Sequence, residues 1–144
     1  MKASDLRIGN WVEHDFSWEL MVDAVHHDSI YAIDGKTPVH LDLEDCRPIP
    51  LTPEWLERFG FEYRGLKMSG MKWFQKDQKG LAFQQLRVAK WHDDEWSFTL
   101  ECVVPSTLSI APLKYVHQIQ NLYFALTGDE LIASKIKNKQ DGKA

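Results

Sequence analysis

Cysteine is scarce in this chain. Cys46 and Cys102 are the only two among 144 residues, and they do not form a C-x-x-C pair. The spacing excludes a local zinc or dithiol motif and favours two buried free thiols in a reducing compartment. A single disulfide between them is left open by sequence. Long apolar runs are missing as well. No stretch approaches the roughly 20 residues that a membrane-spanning helix needs. The segment Met1–Arg7 has no apolar core of a secretory signal. The expectation is a soluble cytoplasmic protein with no membrane partner.

Catalytic and phosphate-binding signatures are equally absent. There is no G-x-S-x-G, H-E-x-x-H, Gly-rich phosphate loop or G-x-G-x-x-G. No cofactor, metal or catalytic residue is assigned on this basis. His26-His27-Asp28 are consecutive, and strand neighbours point to opposite faces, which makes a poor chelate. His92-Asp93-Asp94-Glu95 reads as a charged turn, and His14, His40 and His117 are isolated. Glu54 and Glu57, three apart on a short helix, read as a solvated face rather than an acid–base pair. An excess of cations is missing too. The net charge is −4 and the pI is near 5.8, which argues against a dedicated duplex nucleic-acid binder.

What is present is a globule with a large aromatic share: 44% hydrophobic and 12% aromatic residues, including six tryptophans. Each large aromatic buries about 150–250 Å², so a chain of this size can hold a core without staples. The charge is unevenly spread. Residues 1–50 carry ten Asp/Glu against four Lys/Arg, residues 51–112 carry eight of each, and residues 113–144 carry three acids and five bases.

Residues 6–49 alternate as four or five short strands. Gly9-Asn10 forms a turn or bulge, Trp18, Leu20, Val22 and Ala24 fall at period two, and Asp34-Gly35 marks a hairpin. The count suits an SH3-like antiparallel unit over 1–50, with an open meander as the alternative. Thr52 as N-cap, Pro53 at the first helical position and Gly60 as terminator define a short helix near 53–59. Stretches at 61–64, 71–75, 81–86 and 96–103 read as a second antiparallel sheet. Pro105 and Pro112 bracket a connection into a long helix near 112–127, ended by Gly128 and laid across that sheet. The whole is α+β, with an α+β unit at 51–133 and a flexible tail at 134–144.

On a helical wheel Tyr115, Val116, Ile119, Leu122, Tyr123 and Leu126 cluster within about 120°. Leu113, His117, Gln120 and Phe124 widen the uncharged arc to roughly 200°. That flank is either packed or an interface for a protein partner or a second copy of the chain. In the middle third, Lys72, Trp73, Lys76, Arg87, Lys90 and Trp91 combine cations with aromatic faces. Their composition suits a small anionic ligand such as a nucleotide, against the alternative of core aromatics with solvated lysines.

Three stretches, Leu6-Arg7-Ile8-Gly9-Asn10-Trp11-Val12, Arg47-Pro48-Ile49-Pro50-Leu51-Thr52-Pro53-Glu54-Trp55-Leu56-Glu57-Arg58-Phe59-Gly60-Phe61 and Lys114–Gly128, occur in that order. Together they resemble a group of short proteins of phages and mobile elements of Bacteroides-type bacteria. The resemblance implies a setting, an accessory protein inside a bacterial host cell, and carries no site residues. The leading functional expectation is a non-catalytic protein that binds a host or phage protein. The second is sequestration of a small anionic ligand, such as a nucleotide defence messenger, through residues 64–91.

Overall fold

The structure, a computed structural model, describes residues 1–15, 18–64, 71–77, 83–91, 96–102 and 107–134. At positions 71–72, 83–85, 91, 97–102 and 107–111 the description is of the backbone. The expected turn at 92–95 and the tail from 135 onward lie outside the described residues. The protein is α+β, with antiparallel five-stranded sheets and two α-helices among the described residues. It divides into two compact units: residues 1–51 with 113–130, and residues 52–112 with 131–144.

In the first unit a 3-10 turn at Ala3–Asp5 precedes β1 (Trp11–His14), β2 (Trp18–Val25), β3 (Ser29–Asp34), β4 (Thr37–Asp42) and β5 (Cys46–Pro48). Their order across the sheet is β4-β3-β2-β1-β5. Alternation does the sorting. Val12, Leu20, Val22, Ile30, Ala32 and Leu41 turn inward and join Leu6, Leu43 and Cys46 in one core cluster. Gly9 adopts φ +93° and donates its N–H to Val22 O at 2.8 Å, so the chain enters β1 through a left-handed kink. The hairpin turns at Gly35-Lys36, one residue later than the expected Asp34-Gly35, and Asp34 pairs with Thr37 as the last strand residue. Pro38 sits on β4, an edge strand, where a missing N–H is tolerated.

In the second unit α1 (Pro53–Arg58) forms as its local signals dictate. Thr52 Oγ1 accepts from Trp55 N at 3.4 Å, and Gly60 follows at φ +85°. Trp55, Leu56 and Phe59 are buried. Next come β6 (Glu62–Tyr63), β7 (Met71–Asp77), β8 (Phe83–Trp91), β9 (Trp96–Cys102) and β10 (Thr107–Leu113), ordered β10-β9-β8-β7-β6. The last strand replaces the expected connection. Thr107-Leu108-Ser109-Ile110 alternates polar and apolar residues, and as an edge strand Thr107–Leu113 accommodates Pro112.

The long helix α2 (Val116–Thr127) belongs to the first unit, where the sequence boundaries had included it in 51–133. It begins four residues later than expected because its approach is held extended. Leu51 N donates to Lys114 O and Val116 N to Ile49 O, both at 2.9 Å, around a Pro50–Tyr115 bridge. Gln118 Oε1 then accepts from Lys114 N and Tyr115 N at 2.8 and 3.1 Å, satisfying backbone donors ahead of the first turn. Gly128, at φ +76°, donates to Phe124 O and ends the helix. No helix among the described residues is long and apolar enough to cross a membrane.

Candidate functional site

The first sheet buries one face and presents the other. Register places Trp11 beside Met21, Met21 beside Ile33 and Ile33 beside Pro38, an apolar row crossing four strands. Trp11, Met21 and Ile33 are half-buried and Pro38 is exposed. Next to that row, Tyr31 pairs with His40 across β3 and β4. The ring of Tyr31 lies 4.9 Å from His40 and 5.7 Å, edge-on, from His26. Both histidines are exposed, and Tyr31 keeps 40% of its surface open to solvent. A β-bulge between Val22 and Ala24 brings Ala24 opposite Tyr31. Trp18, also exposed, meets His14 edge-on at 6.3 Å at the far end of the same strands.

By sequence His40 is isolated and His26 belongs to a poor chelate. The Tyr31–His40 pair depends on where the turn falls: a two-residue loop at Gly35-Lys36 sets 31 against 40, whereas the expected turn at Asp34-Gly35 sets 31 against 38. Among the described residues no group of three His, Cys, Asp or Glu could hold a metal ion.

The six residues marked for an anionic ligand do not share one surface. Trp73 and Arg87 lie on one face of the second sheet, with the Arg87 guanidinium 4.4 Å from the Trp73 ring. Lys76 and Lys90 lie at the opposite parity, on the face that buries Phe74, Leu86, Val88 and Trp96. Lys90 Nζ stands 5.4 Å from the Trp96 ring. Lys72 pairs with Lys90 and Trp91 with Met71 in register; the side chains of Lys72 and Trp91 lie outside the described residues. Arg87 is therefore separated from Lys76 and Lys90 by the thickness of the sheet.

One polar cleft of about 170 Å³ does form in the second unit, lined by Gly60, Glu62, Arg64, Gln75, Lys76 and Asp77. Lys76 Nζ donates to Phe59 O at 3.1 Å, placing a cation on a carbonyl at the C-terminus of α1. Arg64 pairs with Glu62 at 2.8 Å, and Gln75 Nε2 donates to Asp77 Oδ1 at 3.0 Å. The cleft carries two cations and two carboxylates, and its charges are already matched.

The flank of α2 proposed from the wheel is interior. Leu113 is 2% exposed, His117 6% and Gln120 1%, so these positions offer no surface to a partner. Phe124 is half-buried beneath the Arg7 guanidinium, 3.7 Å from its ring centre, and Arg7 pairs with Glu130. The apolar period could not distinguish packing from an interface; the amides decide it. Gln120 Oε1 accepts from Trp11 N at 3.0 Å and its Nε2 donates to Gly9 O at 2.9 Å. Asn10 Nδ2 donates to Asn121 Oδ1, and Asn121 Nδ2 donates to Asp5 O, both at 2.9 Å.

Residues of the three stretches at 6–12, 47–61 and 114–128 thus meet in space. Gly9, Asn10 and Trp11 join Gln120 and Asn121, while Ile49 and Leu51 join Lys114 and Val116. Here these residues hold structure together.

His117 Nδ1 is buried with no hydrogen-bond partner. Burial lowers the pKa of the imidazole; Asp5 opposes that shift and the amino terminus adds to it. Cys46 is a buried free thiol. Burial, and then Asp45, Asp15 and Asp42, push its pKa up to about 11, which keeps it from acting as a nucleophile near neutrality. No protein-family model, curated protein or solved structure matches the chain.

Proposed function

We propose that this chain is a non-catalytic binding protein that acts through contacts with another protein, made by the outward face of its first sheet. The observation that carries this reading is the exposed Tyr31, bracketed by His26 and His40 beside the row from Trp11 to Pro38. Exposed aromatics next to apolar neighbours are what protein interfaces select. The strand order, with a 3-10 turn before β5, supports the SH3-like reading of the first unit. Folds of that size host many functions, so the face, not the fold, carries the argument. The setting implied by the resemblance is an accessory role for a phage or mobile element inside a bacterial cell. The test is affinity capture from host lysate at physiological salt with the wild-type chain and with Tyr31→Ser. A partner retained by the first and lost by the second supports the reading. Equal recovery by both would refute it.

A second reading rests on the cleft of the second unit, where a small anion such as a nucleotide would take Arg64 from Glu62 and Lys76 from the Phe59 carbonyl. Binding at 100 times Kd would raise stability by about 2.7 kcal/mol. A thermal-shift screen against nucleotides that moves no transition would end it.

A further inference from the structure

Resting on the protein-binding reading, we propose that the outward face of the first sheet takes a cationic segment of its partner, a stretch carrying several Lys or Arg. The choice of occupant comes from charge. Between Ile8 and Gly35 the chain has no Lys or Arg and six Asp/Glu. Of these, Asp15, Glu19, Asp23, Asp28 and Asp34 are exposed. The first unit as a whole holds twelve acids against five bases, a net charge of −7.

Carboxylates frame the aromatic centre. Asp42 lies two residues beyond His40 on the same face of β4, and Asp23 lies in the bulge beside Ala24. Arg and Lys suit such a surface because their stems pack on apolar side chains while the charged head reaches a carboxylate or an aromatic ring. Met21, Ile33 and Pro38 provide the apolar floor, Tyr31 the ring, and Asp23 and Asp42 the counter-charges. Two other occupants fit worse. A second copy of this chain would bring −7 against −7, and an acidic peptide or nucleic acid would meet the same repulsion. Strand addition along β4 is impeded by Pro38, which lacks an N–H on that edge. Recognition therefore runs through side chains.

The experiment is a titration of the isotopically labelled full chain, followed by amide chemical shifts. The probes are three ten-residue peptides of matched length: Lys/Arg-rich, Glu/Asp-rich and uncharged Ser/Gly. Expected is a shift confined to the amides around Tyr31, His40, Met21 and Ile33, produced by the cationic peptide alone. Affinity should fall as salt rises from 50 to about 300 mM, because exposed charges are then screened. Tyr31→Ser keeps the net charge and should weaken binding about three- to fivefold, the equivalent of one exposed cation–aromatic contact. Unchanged affinity in Tyr31→Ser, or shifts scattered over the whole acidic surface, would overturn the inference as charge attraction without a site. So would a face that answers to no peptide. Shifts of the same amides by the uncharged or acidic peptide would overturn the assigned charge and leave the protein-binding face standing.

Discussion

Asn10 and Asn121 meet amide to amide at 2.9 Å, 111 residues apart in sequence. Asn10 is fully buried, and next to Asn121 the Gln120 carboxamide closes both Gly9 O and Trp11 N. These contacts turn a helix of ordinary amphipathic character into a fixed part of the first unit. A buried backbone group stripped of its partner costs about 1–3 kcal/mol.

Gln120→Leu is expected to lower stability by about 1–3 kcal/mol, because it keeps the volume and leaves two backbone groups unmatched. Asn10→Ala should cost a similar amount. Urea unfolding followed by tryptophan fluorescence reads both as a lower midpoint with an unchanged slope. A midpoint equal to wild type for both variants would mean that the amides contribute nothing.

Gly60 is predicted to resist substitution chiefly through its backbone. Its φ of +85° disfavours any L side chain, and an added Cβ would stand 2.8 Å from Lys76 Nζ. Gly60→Ala should cost at least about 1–2 kcal/mol from the left-handed backbone alone. Lys76→Met, which removes a cation and its hydrogen bond to Phe59 O at the helix C-terminus, should cost about 1 kcal/mol. Denaturant midpoints of the two variants check the order.

Acid should weaken the fold through His117. Its imidazole is held neutral by burial, so its folded pKa lies below the ordinary 6.5. Below that value the unfolded chain binds the proton more readily than the folded one, and stability falls as pH drops. The contribution is complete above the unfolded pKa and is lost progressively below pH 6.5, down through the folded pKa. Comparing urea midpoints at pH 7.5 and pH 5.5 for wild type and His117→Gln isolates the histidine's contribution: the loss should be smaller in the variant.

Cys46 should react slowly in the native protein. With its pKa near 11, two or more units above an ordinary thiol, its thiolate fraction near neutrality drops at least roughly 100-fold. Cys102→Ser leaves Cys46 as the sole thiol. Its alkylation rate at pH 7.5 should rise by about that factor or more on unfolding in urea.

The elements most legible in the sequence were those set by neighbours in the chain. Thr52, Pro53 and Gly60 define α1, and Gly128 ends α2, through contacts within a few residues. The first sheet followed from period-two alternation and one hairpin, but a turn at Asp34-Gly35 would set Tyr31 against Pro38, and only the turn one residue later sets it against His40. What escaped depended on distant partners. The start of α2 was moved by Ile49 and Leu51, its place in the first unit is supported by Gln120 and Asn121, and none of these leaves a trace in hydrophobic period. The basic stretch misled for a related reason: composition counts Lys76 and Arg87 together, while alternation puts them on opposite faces.

The most direct test of the proposed binding face is site-specific photocrosslinking in host lysate. One protein carries Tyr31→benzoylphenylalanine and another carries the same probe at the exposed Glu54 of α1. The account predicts a discrete adduct with a protein partner from position 31 and none of that size from position 54, with the yield reduced by added Lys/Arg-rich peptide. The same adducts from both positions, or none from position 31, would contradict it.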